Sequence, residues 1–81
     1  MTIKYHLYSS EGCHLCEQAY AMALKVIEKE QIAIIDIVED TIPNIDLVAL
    51  YGVKIPVLEK LIDGRQLFWP FEQQQIVDLH K

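Results

Sequence analysis

Residues 32–38 read Ile-Ala-Ile-Ile-Asp-Ile-Val, a nearly unbroken apolar and mostly β-branched run whose one polar interruption is Asp36. β-branched side chains suit a pleated strand, and a strand with no polar alternation is what a sheet covered on both faces contains. The run therefore predicts a parallel strand at the centre of a layered α/β sheet. No apolar run in the chain approaches the ~18 to 20 residues that a membrane span needs.

The flanking segments supply the rest of the layers. Lys4-Tyr5-His6-Leu7-Tyr8 is short and aromatic and runs into Ser9-Ser10-Glu11-Gly12, which predicts a first strand ending in a loop. From Cys13, the residues Leu15, Ala19, Met22, Ala23, Val26 and Ile27 recur at helical spacing, predicting a helix of about four turns. Asn44 is placed to cap a short helix carrying Ile45, Leu47, Val48 and Leu50, with Gly52 at its end. Pro56 to Leu61 reads as a strand, and Asp63-Gly64 as a turn leading back through Gln66-Leu67-Phe68-Trp69. Pro70 suits the start of a last helix from Phe71 to about Leu79. The resulting order is βαβαββα: an α/β chain with a mixed four-stranded sheet and helices on both faces.

At 81 residues and 52% apolar, the chain has room for one domain, read as 1–81, with enough apolar surface to build a core. Seven Lys and Arg against 12 Asp and Glu leave a formal charge of -5, the wrong sign for gripping phosphate backbones. No nucleic acid and no membrane is expected as a partner. Residues 1–8 carry one Lys and lead into no signal-peptide pattern, so a cytoplasmic chain is expected. Two cysteines are too few for a secreted disulfide framework, and a single close pair suggests redox or metal chemistry.

That pair is Cys13-His14-Leu15-Cys16, where the first strand hands over to the first helix. Unpaired N–H groups at a helix start favour negative charge, and a thiolate there is commonly stabilised. Residues three apart on a helix lie within the ~4.4 to 6.8 Å between α-carbons that a disulfide requires. Two other uses of the pair stay open at this level. It could be half of a zinc site, with His6, His14 or His80 adding nitrogen, although a structural site wants four ligands. It could also be a pair of buried structural thiols, Cys16 in particular. His14, if protonated, would support the thiolate, whereas Glu11 would oppose it.

Cys13-His14-Leu15-Cys16 after a first strand, with Ile55-Pro56-Val57-Leu58 ahead of a hairpin, resembles the thioredoxin superfamily and within it the short bacterial glutaredoxin-like group. The likeness spans essentially the whole chain. It implies a thioredoxin-like fold, a cis peptide before Pro56, and a substrate that pairs with the backbone at Ile55. Members of the group that bind glutathione carry Lys or Arg ahead of the first cysteine, a Thr-Val-Pro segment and a Gly-Gly-Asp stretch. The corresponding places here hold Ser10-Glu11-Gly12, Lys54-Ile55-Pro56 and Phe68-Trp69-Pro70-Phe71-Glu72. Each lost charge-assisted hydrogen bond is worth ~1.5 to 3 kcal/mol, so weak glutathione binding is expected.

The resemblance thus implies a thiol–disulfide oxidoreductase with Cys13 as nucleophile and Cys16 as resolving thiol. His14, Ile55, Pro56 and Trp69 are expected to contact the substrate, a disulfide-containing protein or a small thiol. No cofactor and no metal is expected, and the protein is expected to be a monomer. The alternative is a binding or adaptor domain that keeps the fold and has lost disulfide turnover.

Overall fold

The computed structural model describes residues 2–81; Met1, the first residue of the domain read as 1–81, lies outside the described residues. Strands β1 (Tyr5–Ser9), β2 (Ile32–Asp36), β3 (Val57–Lys60) and β4 (Gln66–Phe68) form one sheet in the order β2-β1-β3-β4. Helices α1 (His14–Ala23), α2 (Leu47–Tyr51) and α3 (Gln73–His80) complete the order βαβαββα, with a short 3-10 turn at Lys29–Gln31. β1 pairs parallel with β2 and antiparallel with β3, and β3 pairs antiparallel with β4, so the sheet is mixed.

The two-residue period of β1 sorts its side chains between two layers. Tyr5 and Leu7 join Ala19, Ala23, Ile27, Leu58, Ile76 and Leu79 in a core under α1 and α3. Tyr8 points the other way and packs with Ile37, Leu47 and Val57 beneath α2. Helices therefore lie on both faces, as the sequence predicts.

The interior strands are β1 and β3, not β2, and this corrects the reading of residues 32–38. The β1-α1-β2 crossover lays β2 on one side of β1, and β3 takes the other side, which leaves β2 at the edge. Its apolar content reports cover on its faces, since Ile32 enters one core and Ile35 and Ile37 the other. Hydrophobicity says nothing of what lies along an edge, and Ile34 is 51% exposed. The edge is closed locally instead. The Ile37 N–H donates to Ser9 O at 2.9 Å, so in the parallel ladder residues 32, 34 and 36 aim their backbone outward. Of these, the Ile32 N–H donates to Lys29 O and the Asp36 N–H to the Asp40 carboxylate at 2.7 Å, leaving Ile34 as the open rung.

The helix boundaries also move, and the strands β2, β3 and β4 are shorter than the sequence predicts. α1 spans 10 residues rather than four turns, because Lys25 and Val26 donate to carbonyls three residues back, tightening the chain and turning Ile27 inward. α2 is capped by Asp46, whose carboxylate accepts the Ala49 N–H at 3.1 Å; Asn44 sits at φ 66 in the preceding turn. α3 begins at Gln73, since Phe71 is buried in the core and Glu72 is still extended, its N–H donating to the Gln75 side chain at 2.7 Å. Gly52 does end α2, though with right-handed φ -51; glycine is needed because a β-carbon there would meet Val48 O at 2.6 Å.

Candidate active site

Cys13 is the N-cap of α1, extended at φ -86 and ψ 101, and it follows Gly12, whose φ of 78 reverses the chain after β1. The cap position aims the Cys13 side chain back at the first turn, where Sγ accepts the Cys16 N–H at 3.2 Å. Cys13 and Cys16 are joined as a disulfide with α-carbons 5.2 Å apart, the spacing that the Cys-x-x-Cys pattern predicts. The two sulfurs differ in access. Cys16 is 3% exposed against the core, whereas Cys13 is half-buried at the loop mouth. The helix start thus offers one reachable sulfur and one screened sulfur, with a backbone N–H donated to the reachable one.

His14 is exposed and its Nδ1 lies 3.4 Å from the Glu17 carboxylate, so its ring is turned along the helix surface toward an acid. The three histidines are dispersed. His6 lies within β1 beside Tyr8, His14 opens α1, and His80 ends α3 against Tyr5. Among the described residues no group of three or more His, Cys, Asp and Glu side chains is arranged to hold a metal ion.

Backbone register brings the other expected site residues to the same end of the sheet. β1 runs toward Cys13, and Val57 of β3 lies opposite Tyr8, so Ile55 and Pro56 enter β3 beside the end of β1. Phe68 of β4 lies opposite Val57, so Trp69 leaves the sheet at that end too. Pro56 is buried and the Ile55–Pro56 peptide is cis; the Trp69–Pro70 peptide is cis as well. The Trp69 N–H donates to Pro56 O at 3.2 Å, tying the two segments together. Trp69 is half-buried, edge-on to the buried Phe71 with ring centroids 5.2 Å apart. Phe71 is therefore a core residue, while Trp69 sits at the boundary of core and solvent.

The loop before Pro56 is held by contacts that the sequence reading did not single out. Tyr51, the last residue of α2, stacks on Tyr8 with centroids 4.3 Å apart and planes 22° apart. Its hydroxyl accepts from the Gln66 side chain at 2.8 Å, and its carbonyl accepts the N–H groups of Lys54 (2.8 Å) and Ile55 (3.1 Å). Tyr8 in turn donates to Glu59 at 2.5 Å. Burial first, then that hydrogen bond, push the Tyr8 hydroxyl well above its ordinary pKa, so it stays protonated and donates. The available signal is the two-residue period of β1, which puts His6 and Tyr8 together on the face opposite Tyr5 and Leu7.

Comparison with known proteins agrees with this geometry. The glutaredoxin-like domain family (DUF836) matches residues 4–79, nearly the whole chain, and the protein belongs to that family. The fold and the Cys-x-x-Cys helix start place it among glutaredoxin-like proteins of the thioredoxin superfamily. It is similar to the Northeast Structural Genomics target protein XcR50 from X. campestris. The crystal structure of XcR50 shares 30% identity with a TM-score of 0.71, over 94% of this chain and 93% of that one. The solution structure of XcR50 gives the same identity and TM-score over 96% and 92%. Curated proteins gave no match.

Proposed function

We propose that the chain is a thiol–disulfide oxidoreductase that works through the Cys13–Cys16 couple. The observation that carries this reading is the unequal access of the two bonded sulfurs at the start of α1. In the reduced protein, the Cys13 thiolate attacks one sulfur of a substrate disulfide, forming a mixed disulfide and releasing the other substrate sulfur as a thiolate. Cys16, deprotonated in turn, attacks Cys13 Sγ, closes the intramolecular bridge and releases the second substrate thiolate. Two electrons pass to the substrate and the Cys13–Cys16 pair is oxidised; the reverse sequence oxidises a dithiol.

The Cys16 N–H aimed at Cys13 Sγ supports the thiolate that both directions need, since a hydrogen bond to a charged acceptor is worth ~1.5 to 3 kcal/mol. The buried position of Cys16 keeps it from reacting with outside disulfides and commits it to Cys13. Ile55, Pro56 and Trp69 at the same end of the sheet form the proposed rim for substrate, with the exposed His14 and Leu15 on the helix side. Exposed Glu11 in place of a cation supports a disulfide-bonded protein rather than glutathione as substrate.

Reduction of a disulfide-bonded reporter protein tests the reading. Cys13→Ser should abolish turnover, and Cys16→Ser should accumulate a mixed disulfide on Cys13, visible by mass spectrometry. Turnover by the Cys13→Ser protein would remove Cys13 from its role. A couple that fails to equilibrate with dithiothreitol or glutathione would favour the adaptor reading.

A further inference from the structure

At the end of the sheet remote from Cys13, the start of β1, the end of β3 and the end of α3 surround a cavity of about 550 Å³. That volume lies within the ~300 to 1,000 Å³ of small-molecule sites. Its walls are apolar: Ile3, Leu61 and the aliphatic face of Ile62, which is 87% exposed although the hairpin needs no large apolar residue there. Redox chemistry at the other end of the sheet makes no use of it.

The charged side chains that line this cavity are cationic, beside the hydroxyls of Thr2 and Tyr5 and the imidazole of His80. Lys4, Lys60 and Lys81 line it, and Arg65 stands beside it with its guanidinium 3.5 Å from Leu79 O. Four of the chain's seven cations are therefore collected at one end of a protein whose formal charge is -5. Two of the four already carry an acid, Arg65 paired with Asp63 at 2.7 Å and Lys81 with Asp78 at 3.5 Å, and among the described residues Lys4 and Lys60 have no acid partner. Lys60 is held in place, its ammonium donating to Leu79 O at 2.8 Å and Lys81 O at 3.1 Å, with a third N–H left over. His80 lines the cavity and its Nδ1 lies 2.7 Å from the Tyr5 hydroxyl. Burial raises the Tyr5 pKa, so the phenol keeps its proton and can donate to Nδ1. With the phenol as donor, the tautomer that completes this pair carries its proton on Nε2 and makes His80 a donor as well.

Apolar walls with donors and positive charge at the rim match one class of ligand. We propose that this cavity binds an organic anion with an apolar body, a carboxylate or phosphate ester whose oxygens meet Lys4, Lys60 and His80 while its chain lies on Ile3, Leu61 and Ile62. Charge complementarity selects the anion over a neutral molecule of the same shape, and the distance from Cys13 makes this binding separate from disulfide exchange.

Dodecanoate titrated into isotopically labelled full-length protein, followed by NMR chemical shifts, tests the proposal. Saturable shifts confined to residues 2–5, 60–62 and 79–81 are expected, with one site per chain. Lys4→Glu, at an exposed position, should weaken binding about tenfold or more, whereas Cys13→Ser should leave it unchanged. Dodecanol bound as tightly as dodecanoate would overturn the proposal, because the cations would then do nothing. Shifts centred on the Trp69 end would overturn it too. Ile62→Asp serves as a second variant: loss of binding with an unchanged fold is expected, and retained binding counts against the site.

Discussion

The two faces of the sheet are built differently. Under α1 and α3, ten buried residues from three strands, two helices and the connecting segments form one continuous apolar cluster. On the other face the buried cluster among the described residues is Tyr8, Ile37, Leu47 and Val57, beneath the five-residue α2. What the second face lacks in area it makes up with directional contacts: the Tyr8–Tyr51 stack, the Gln66–Tyr51 and Tyr8–Glu59 hydrogen bonds, and the Asp46 cap. The difference separates two jobs. Area burial is non-directional and holds the domain together, whereas stacked rings and hydrogen bonds fix the position of α2 and of the loop that runs from it into Ile55 and Pro56.

The largest expected effect belongs to the apolar face. Ile76→Ala removes a fully buried side chain from the ten-residue cluster and should cost roughly 2 to 5 kcal/mol in urea unfolding. Leu47→Ala should fall at the low end of that range, because its exposed neighbours can close over the gap; equal losses at the two sites would break the comparison.

Tyr8→Phe keeps the stack on Tyr51 and deletes the donor to Glu59, for an expected loss of about 1 to 2 kcal/mol by the same measurement. Asp46→Ala should cost about 1 kcal/mol and, more tellingly, speed amide exchange in residues 47–51 more than in α1 or α3. Uniform acceleration across all three helices would mean that α2 is not the independently pinned element described here.

The smallest effect is a pH dependence. The fold raises the Tyr8 pKa above 10.0, its ordinary value, so the fold favours the neutral phenol. The contribution of Tyr8 is complete below about pH 10 and is lost as the pH climbs through that value toward the higher folded one. Stability of the native chain should therefore fall more steeply from roughly pH 9 to 11 than that of Tyr8→Phe. Parallel curves would locate the alkaline loss elsewhere.

Much of the candidate site was legible residue by residue. Cys13 and Cys16 carry their own spacing rule, and a helix start after Ser9-Ser10-Glu11-Gly12 follows from turn chemistry and the apolar repeat behind it. From its neighbours Pro56 read only as the proline that starts a strand, and its place in the candidate site came from the family resemblance. Tyr8, Tyr51 and Gln66 were not, because a stack and a hydrogen bond between residues 43 and 15 positions apart leave no periodic trace. The Phe71 and Trp69 pair shows the same limit: both are apolar aromatics two residues apart, yet one is buried in the core and the other sits at its boundary.

From the amino acids alone came the element order, the layered α/β class and the reach of one cysteine to the other, all of which rest on contacts between near neighbours or on the period of apolar residues. Tertiary structure decided that β1 and β3, not β2, lie in the interior of the sheet, that α2 starts at Asp46, and that donors from both ends of the chain surround the remote cavity. The reason is physical: hydrophobicity records whether a side chain is covered, and carries no record of which strand lies alongside or which distant segment does the covering.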